Sequence, residues 1–217
     1  MGVAFGLRFF AFTGTLCILL GIVYAALRYR GRQGEAFSLL NHFISELGEV
    51  GVSRSARAFN LGLLLGGLFF IPFLIGLGIA FHELLAWLGA AAGVLTVLGV
   101  SAVGLFPMNN LHIHATAAMV YFRGGLVMVL FFGLAILFQP PGITLVPKLL
   151  NLLSLAALIV YATFLILMAR DGHSGHPVDT LEPLATPDRP EVDPLAIMEW
   201  AVFLVSILWV AVVAIFI

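Results

Sequence analysis

Residues 60–81 read NLGLLLGGLFFIPFLIGLGIAF, without one charged side chain. As a helix rising 1.5 Å per residue, a stretch of this length crosses a hydrocarbon core about 30 Å thick. A helix that is apolar on every side has to be covered on every side, by protein or by lipid. Five more segments share the pattern, at 9–27, 84–106, 115–138, 148–169 and 195–217. The sequence therefore predicts an all-α, polytopic membrane protein, with residues 1–217 forming one bundle of six transmembrane helices.

Composition agrees with that reading. The chain is 62% hydrophobic and 10% charged, with a mean hydropathy of +1.13. A soluble domain carries about 25% charged residues, so a water-soluble globule and a disordered chain are both excluded. The net charge of −1 offers no field for a polyanion, which removes nucleic acid as a partner. Cys17 is the single cysteine, leaving neither a disulfide framework nor a cysteine–metal cluster. The first segment is too long for a signal peptide, and its basic residues follow it rather than precede it. It reads as a retained helix.

Breakers mark the ends. Pro107 closes the third span, Pro140–Pro141–Gly142 turns the chain after the fourth, and Pro147 suits the first turn of the fifth. Pro72 predicts a kink in the second span. Gly62-x-x-x-Gly66 and Gly89-x-x-x-Gly93 put small residues on single faces, as close helix packing requires. No internal repeat of the kind that builds two-halved transporters is visible.

Two loops are long. Residues 28–59 join the first two spans; residues 170–194, with five prolines among acidic residues, read as extended or mobile. Six crossings place both long loops and the 107–114 turn on one membrane face. Arg28, Arg30, Arg32, Arg54, Arg57, Arg170 and Arg189 belong to that face, against Arg8 and Lys148 opposite. The positive-inside rule puts the arginine-rich face in the cytoplasm of a bacterial or archaeal cell membrane.

Chemically capable residues gather there too: His42, Glu46, Glu49, Arg54, Arg57, Asn60, Asn109, Asn110, His112 and His114. His82 and Glu83 lie on the other face, and His173 and His176 in the second loop read as solvated. Phe37, Leu40, Ile44 and Leu47 recur at helical spacing, predicting a short interfacial helix over 35–47 with His42, Glu46 and Glu49 on its polar face. Two charges descend into the spans, Arg123 in the fourth and Glu199 in the sixth. Because an isolated charge in lipid costs about 2.5–3.5 kcal/mol on insertion scales, both are expected to point inward. They would pair with each other, or Arg123 with Glu46 or Glu49; alternatively Arg123 anchors a lipid phosphate or carboxylate beside Gly124 and Gly125. If extended, His112-x-His114 aims both imidazoles at one metal, with His42, Glu46 or Glu49 completing the set; on a helix the two diverge by about 200°. No cofactor is required by the sequence, and a divalent metal is the one it would accommodate. Nucleophilic triads and nucleotide loops have no counterpart here.

Four stretches then acquire a common meaning. Ile44-Ser-Glu-Leu-Gly48, Ala58-Phe-Asn-Leu-Gly62, Gly104-Leu-Phe-Pro107 with the following His114-Ala-Thr-Ala-Ala118, and Glu199-Trp200 resemble a family of six-helix prokaryotic membrane proteins of unknown function. That family is similar in turn to the eukaryotic FRAG/DRAM/SFK membrane proteins, which include a lipid-remodelling factor for glycosylphosphatidylinositol anchors. The resemblance singles out Ser45, Glu46, Gly48, Asn60, Pro107, His114 and Glu199, and it implies lipid handling. Asn109 and Asn110 stand where the pattern often has an acidic residue, and the relatives' loop faces the lumen, opposite to the charge rule.

Three functions follow as expectations. The first is binding or remodelling of a lipid headgroup through Arg123, Glu199, Ser45, Glu46, Asn60, Arg54, Arg57 and His114, with His114 and Glu46 as catalytic candidates. The second is a metal-dependent intramembrane hydrolase built on His42, His112 and His114. The third is a non-catalytic scaffold or bilayer modulator. Membrane lipids are the expected partners, and a homo-oligomer is compatible with the sequence.

Overall fold

The computed structural model describes residues 2–139, 145–173 and 189–217. Six helices follow one another up and down: α1 Gly2–Arg28, α2 Ala56–Phe81, α3 Leu84–Leu105, α4 Leu111–Leu137, α5 Asn151–His173 and α6 Pro194–Phe216. All six are long and apolar enough to cross a membrane, so the protein is an integral membrane protein. The turn expected at Pro140–Pro141–Gly142, the proline-rich stretch over 174–188 and the side chains of His173 and His176 lie outside the described residues.

The helix ends have local causes. α2 stops where His82 takes the left-handed conformation (φ 55°) and its N–H bonds to Gly78 O at 3.0 Å, and α3 starts two residues later. Pro194 opens α6, and Asp193 caps it by accepting the N–H groups of Leu195 at 2.8 Å and Ala196 at 3.3 Å. α4 begins at Leu111, four residues before the expected 115. The 3-10 turn Met108–Asn110 after Pro107 leads directly into it. α2 runs unbroken through Pro72.

Each helix packs chiefly on its neighbours in sequence, and α6 returns to α1, so the bundle is a closed ring. Association of helices in lipid draws on close packing and not on the expulsion of water, and glycines make it possible on one side of the ring. A Cβ on Gly62 would sit 2.7 Å from Cys17 O of α1, and one on Gly104 would collide with Asn60 O of α2. Gly62 and Gly66 thus face α1, while Gly89 and Gly93 face Phe132, Leu74 and Met128 within the same chain. α1 to α4 form the tight wall. α5 is the least buried span and packs more loosely on α4 and α6. Leu16, Leu20, Leu61, Leu65, Leu95 and Ile159 are exposed on the outside, where lipid is their solvent.

The helix expected over 35–47 is realised only in its last part, as the 3-10 turn Ile44–Gly48. Residues 35–38 and 42–43 are irregular, and 39–41 form a turn. Ile44 and Leu47 are buried as the spacing predicts, but the polar face is buried too. His42 and Glu46 are each 2% exposed, whereas Leu39 and Leu40 lie more than half outside. The loop folds over the mouth of the ring, and its polar groups turn inward because the partners that satisfy them are there.

Candidate functional site

The cap over the mouth is held by a buried ion pair. Arg189, in the segment leading into α6, grips Glu46 with both guanidinium nitrogens, Nη2 to Oε2 at 2.8 Å and Nη1 to Oε1 at 3.0 Å. Glu46 Oε1 also accepts the Phe43 N–H at 2.9 Å, and Arg189 donates to Asn41 O at 2.6 Å. Asn41 Nδ2 donates to Pro190 O at 2.9 Å, and Asp193 N–H to Leu40 O at 2.7 Å. The two long loops are therefore stitched to each other. Burial depresses the Arg189 pKa, but the Glu46 carboxylate outweighs it and holds the guanidinium above its ordinary value. Tyr29, buried beneath, places its hydroxyl 3.5 Å from Glu46 Oε2; burial, reinforced by Glu46, pushes the phenol up. Arg32 pairs with Glu49 at the edge of the cap.

His42 sits within this cap between Tyr29 and Phe37, with Nδ1 2.8 Å from Asn41 Oδ1. Its Nε2 has no hydrogen-bond partner, and the nearest carboxylate is Glu35 at 3.8 Å. Burial lowers the imidazole below its ordinary 6.5, despite the opposing pull of Glu46 and Glu35. An unfolded chain takes up this proton near pH 6.5 and the folded one only at lower pH. The unfolded state thus binds more protons as pH falls, and stability is lost through that interval. Thermal unfolding between about pH 7 and about pH 5 should show a steeper decline for wild type than for His42→Gln. Parallel slopes would remove His42 as the cause.

The four sequence stretches singled out above converge at the same end. Ile44 N–H donates to Glu199 Oε2 at 2.7 Å. Asn60 Nδ2 donates to Gly48 O at 3.0 Å, where the Asn60 amide leaves no room for a side chain on residue 48. His114 Nδ1 bonds to Phe106 O at 2.9 Å. Asn109, in place of the acidic residue, pairs with the Val50 backbone in both directions at 2.9 Å. Trp200 Nε1 donates to His42 O at 3.2 Å. The motifs tie the cap to α2, to the α3–α4 turn and to α6.

Below the cap lies a chamber lined by all six helices. α6 presents Glu199, Phe203, Ser206 and Val210 to it at helical spacing; α4 presents His114, Ala118, Tyr121 and Met128. At 1.5 Å per residue these rows run about 16 Å along α6 and about 21 Å along α4. The walls are Val97, Val100 and Val103 of α3, Phe59, Leu63, Phe70 and Leu74 of α2, Ile18 of α1 and Tyr161 of α5. Apart from Thr96, whose hydroxyl donates to Ala92 O at 2.8 Å, the polar groups lie at two levels. Ser45, Glu199 and His114 border the capped end. Deeper in, Tyr161 Oη lies 2.7 Å and Tyr121 Oη 3.4 Å from Ser206 Oγ, which donates to Val202 O at 2.6 Å. Near the far end Phe132 and Trp209 pack with ring centroids 5.6 Å apart.

Three expectations change. Arg123 is exposed on the outer face of α4 and does not enter the bundle. Its anticipated partners are engaged elsewhere: Glu199 on the cap backbone, Glu46 on Arg189 and Glu49 on Arg32. Helical phase explains the difference, because Arg123 shares the lipid side with Val120 and Val127 while His114, Phe122 and Gly125 face inward. His112 and His114 both lie in the first turn of α4, one exposed and one buried, so the extended geometry that would join them is absent. Among the described residues no three His, Cys, Asp or Glu side chains converge as a metal site would require. Arg54 and Arg57 are exposed on the loop-rich face, away from the chamber.

Sequence reasoning missed Arg189 as the clamp, since it belonged to a stretch read as mobile. It also missed the Tyr121–Tyr161–Ser206 level. Ser206 at seven residues from Glu199 was the available signal. The sequence pattern described as "Protein of unknown function (DUF998)" matches residues 14–215. No curated protein and no solved structure matches the chain.

Proposed function

We propose that this chain, which belongs to the DUF998 family, is a lipid-binding membrane protein. In this reading the chamber holds one hydrocarbon chain, with the lipid's head beneath the cap. The observation that carries the reading is the chamber itself. Its length of about 16–21 Å matches the hydrocarbon depth of one leaflet, about 15 Å. Its apolar walls and its polar capped end match the layout of an amphiphile. α5, the loosest wall, is the side on which a chain would enter from the bilayer. The motif likeness to the FRAG/DRAM/SFK proteins points toward lipid as well.

Lipid extracted from protein purified in mild detergent, measured by mass spectrometry, tests this directly. Val100→Phe and Val210→Phe fill the chamber and should each reduce bound lipid by about tenfold. Leu204→Phe, on the exposed outside of α6, should leave it unchanged. Equal lipid content in all folded variants would refute the chamber as the binding site.

A further inference from the structure

We infer that the head of the lipid held here is a hydrogen-bond donor without negative charge, an alcohol or an amine, and not a phosphate or carboxylate. The inference rests on the chamber reading above and concerns what its polar end recognises.

The capped end is rich in acceptors and holds no basic side chain. Phe106 O can only accept, so the bond at 2.9 Å fixes the proton of His114 on Nδ1. Nε2 is then left with a lone pair, on a side chain 4% exposed that borders the chamber. Glu199 is similarly buried. An ionised carboxyl has about four lone-pair sites, and the Ile44 N–H occupies one. The deeper level repeats the pattern. Ser206 gives its proton to Val202 O, so its oxygen accepts from Tyr161. The tyrosine oxygen is left with lone pairs. The Ser45 hydroxyl, with no hydrogen-bond partner among the described residues, and the Tyr121 hydroxyl can also donate, as can the Glu199 carboxyl when it carries a proton.

No basic side chain of the lining offsets this. None of the lining residues is Arg or Lys. Arg123, Arg54 and Arg57 are exposed, and Arg189 and Arg32 are committed to Glu46 and Glu49. An anionic head would enter a low-dielectric space beside the Glu199 carboxyl with nothing to neutralise it, which is strongly unfavourable. A hydroxyl or ammonium hydrogen instead finds the Glu199 carboxyl and His114 Nε2 as acceptors at the lining.

Competition binding to the purified, delipidated full chain in detergent distinguishes these cases. The probes are a long-chain alcohol, a monoacylglycerol, a long-chain amine, a fatty acid and a lysophosphatidic acid of equal chain length. The alcohol, monoacylglycerol or amine should bind at least about tenfold more tightly than either acid. Glu199→Gln separates the two donor classes: it should weaken the amine by about tenfold and leave the alcohols within about twofold. His114→Phe, which removes the second acceptor, should weaken the alcohols. Fatty acid or lysophosphatidic acid binding as tightly as the donors would overturn the inference while leaving the chamber reading intact. Binding of all probes undiminished by Val100→Phe would overturn both.

Discussion

Arg189→Ala should destabilise the folded protein by about 3–5 kcal/mol, the usual consequence of removing one partner from a buried ion pair. Glu46 is 2% exposed, so its carboxylate would stay in place with the Phe43 N–H and the more distant Tyr29 hydroxyl as its remaining donors. The loss would be larger than for Arg32→Ala, since the Arg32 side chain is 45% exposed and solvent screens its pair with Glu49. Equilibrium unfolding in mixed micelles measures the difference. The double variant Glu46→Leu/Arg189→Met, in which no charge is left buried, should recover much of the stability lost by Arg189→Ala. Additive losses would mean that the two side chains do not act as a pair. Because Arg189 also holds Asn41 O, the single variant should speed proteolysis of the cap loop as well.

Trp209→Ala should cost about 3 kcal/mol. Trp209 is the largest fully buried side chain among the described residues. It packs on Phe132 of α4 and donates Nε1–H to Ser154 Oγ of α5 at 2.9 Å. In a bilayer the lost contribution is packing rather than transfer from water, because an unfolded helix in lipid is already out of water. The expected value therefore sits at the low end of the range seen in soluble cores. Trp209→Phe keeps the packing with Phe132, forfeits the hydrogen bond and should cost about 1 kcal/mol. The same unfolding experiment ranks the two, and equal losses would show that the hydrogen bond to α5, not the ring's packing on α4, holds α6 in place.

The predictions differ in how far the sequence anticipates them. Helical spans show plainly in the primary structure because a bilayer tolerates no unpaired backbone, so each crossing writes itself as an uninterrupted apolar run. The convergence of Ser45, Gly48, Asn60, His114 and Glu199 at one end follows from the same reasoning, since their positions along the spans put them at the loop-rich side. Which way each points is another matter. Arg123 and Phe122 are neighbours in sequence, yet one faces outward and the other is 3% exposed. In helices apolar on all sides no stripe marks the inner face, so the pattern that orients an amphipathic helix is missing. The loop over 35–47 misleads for a related reason. Its leucines recur as in an amphipathic helix, but the buried partners Arg189 and Trp200 lie some 150 residues away in the chain, and local periodicity carries no record of them.

The sequence by itself determined that this is a six-helix integral membrane protein with its chemistry at one face, because length and apolarity are local properties that a hydrocarbon core selects directly. Only the tertiary structure decided that the helices close into a ring around a chamber, that Glu46 and Arg189 lock a cap over it, and that the chamber's polar end offers acceptors and no cation. Those features depend on the rotation of each helix about its axis and on contacts between distant segments. Both are set by packing complementarity between helices whose exteriors, as sequence, look alike.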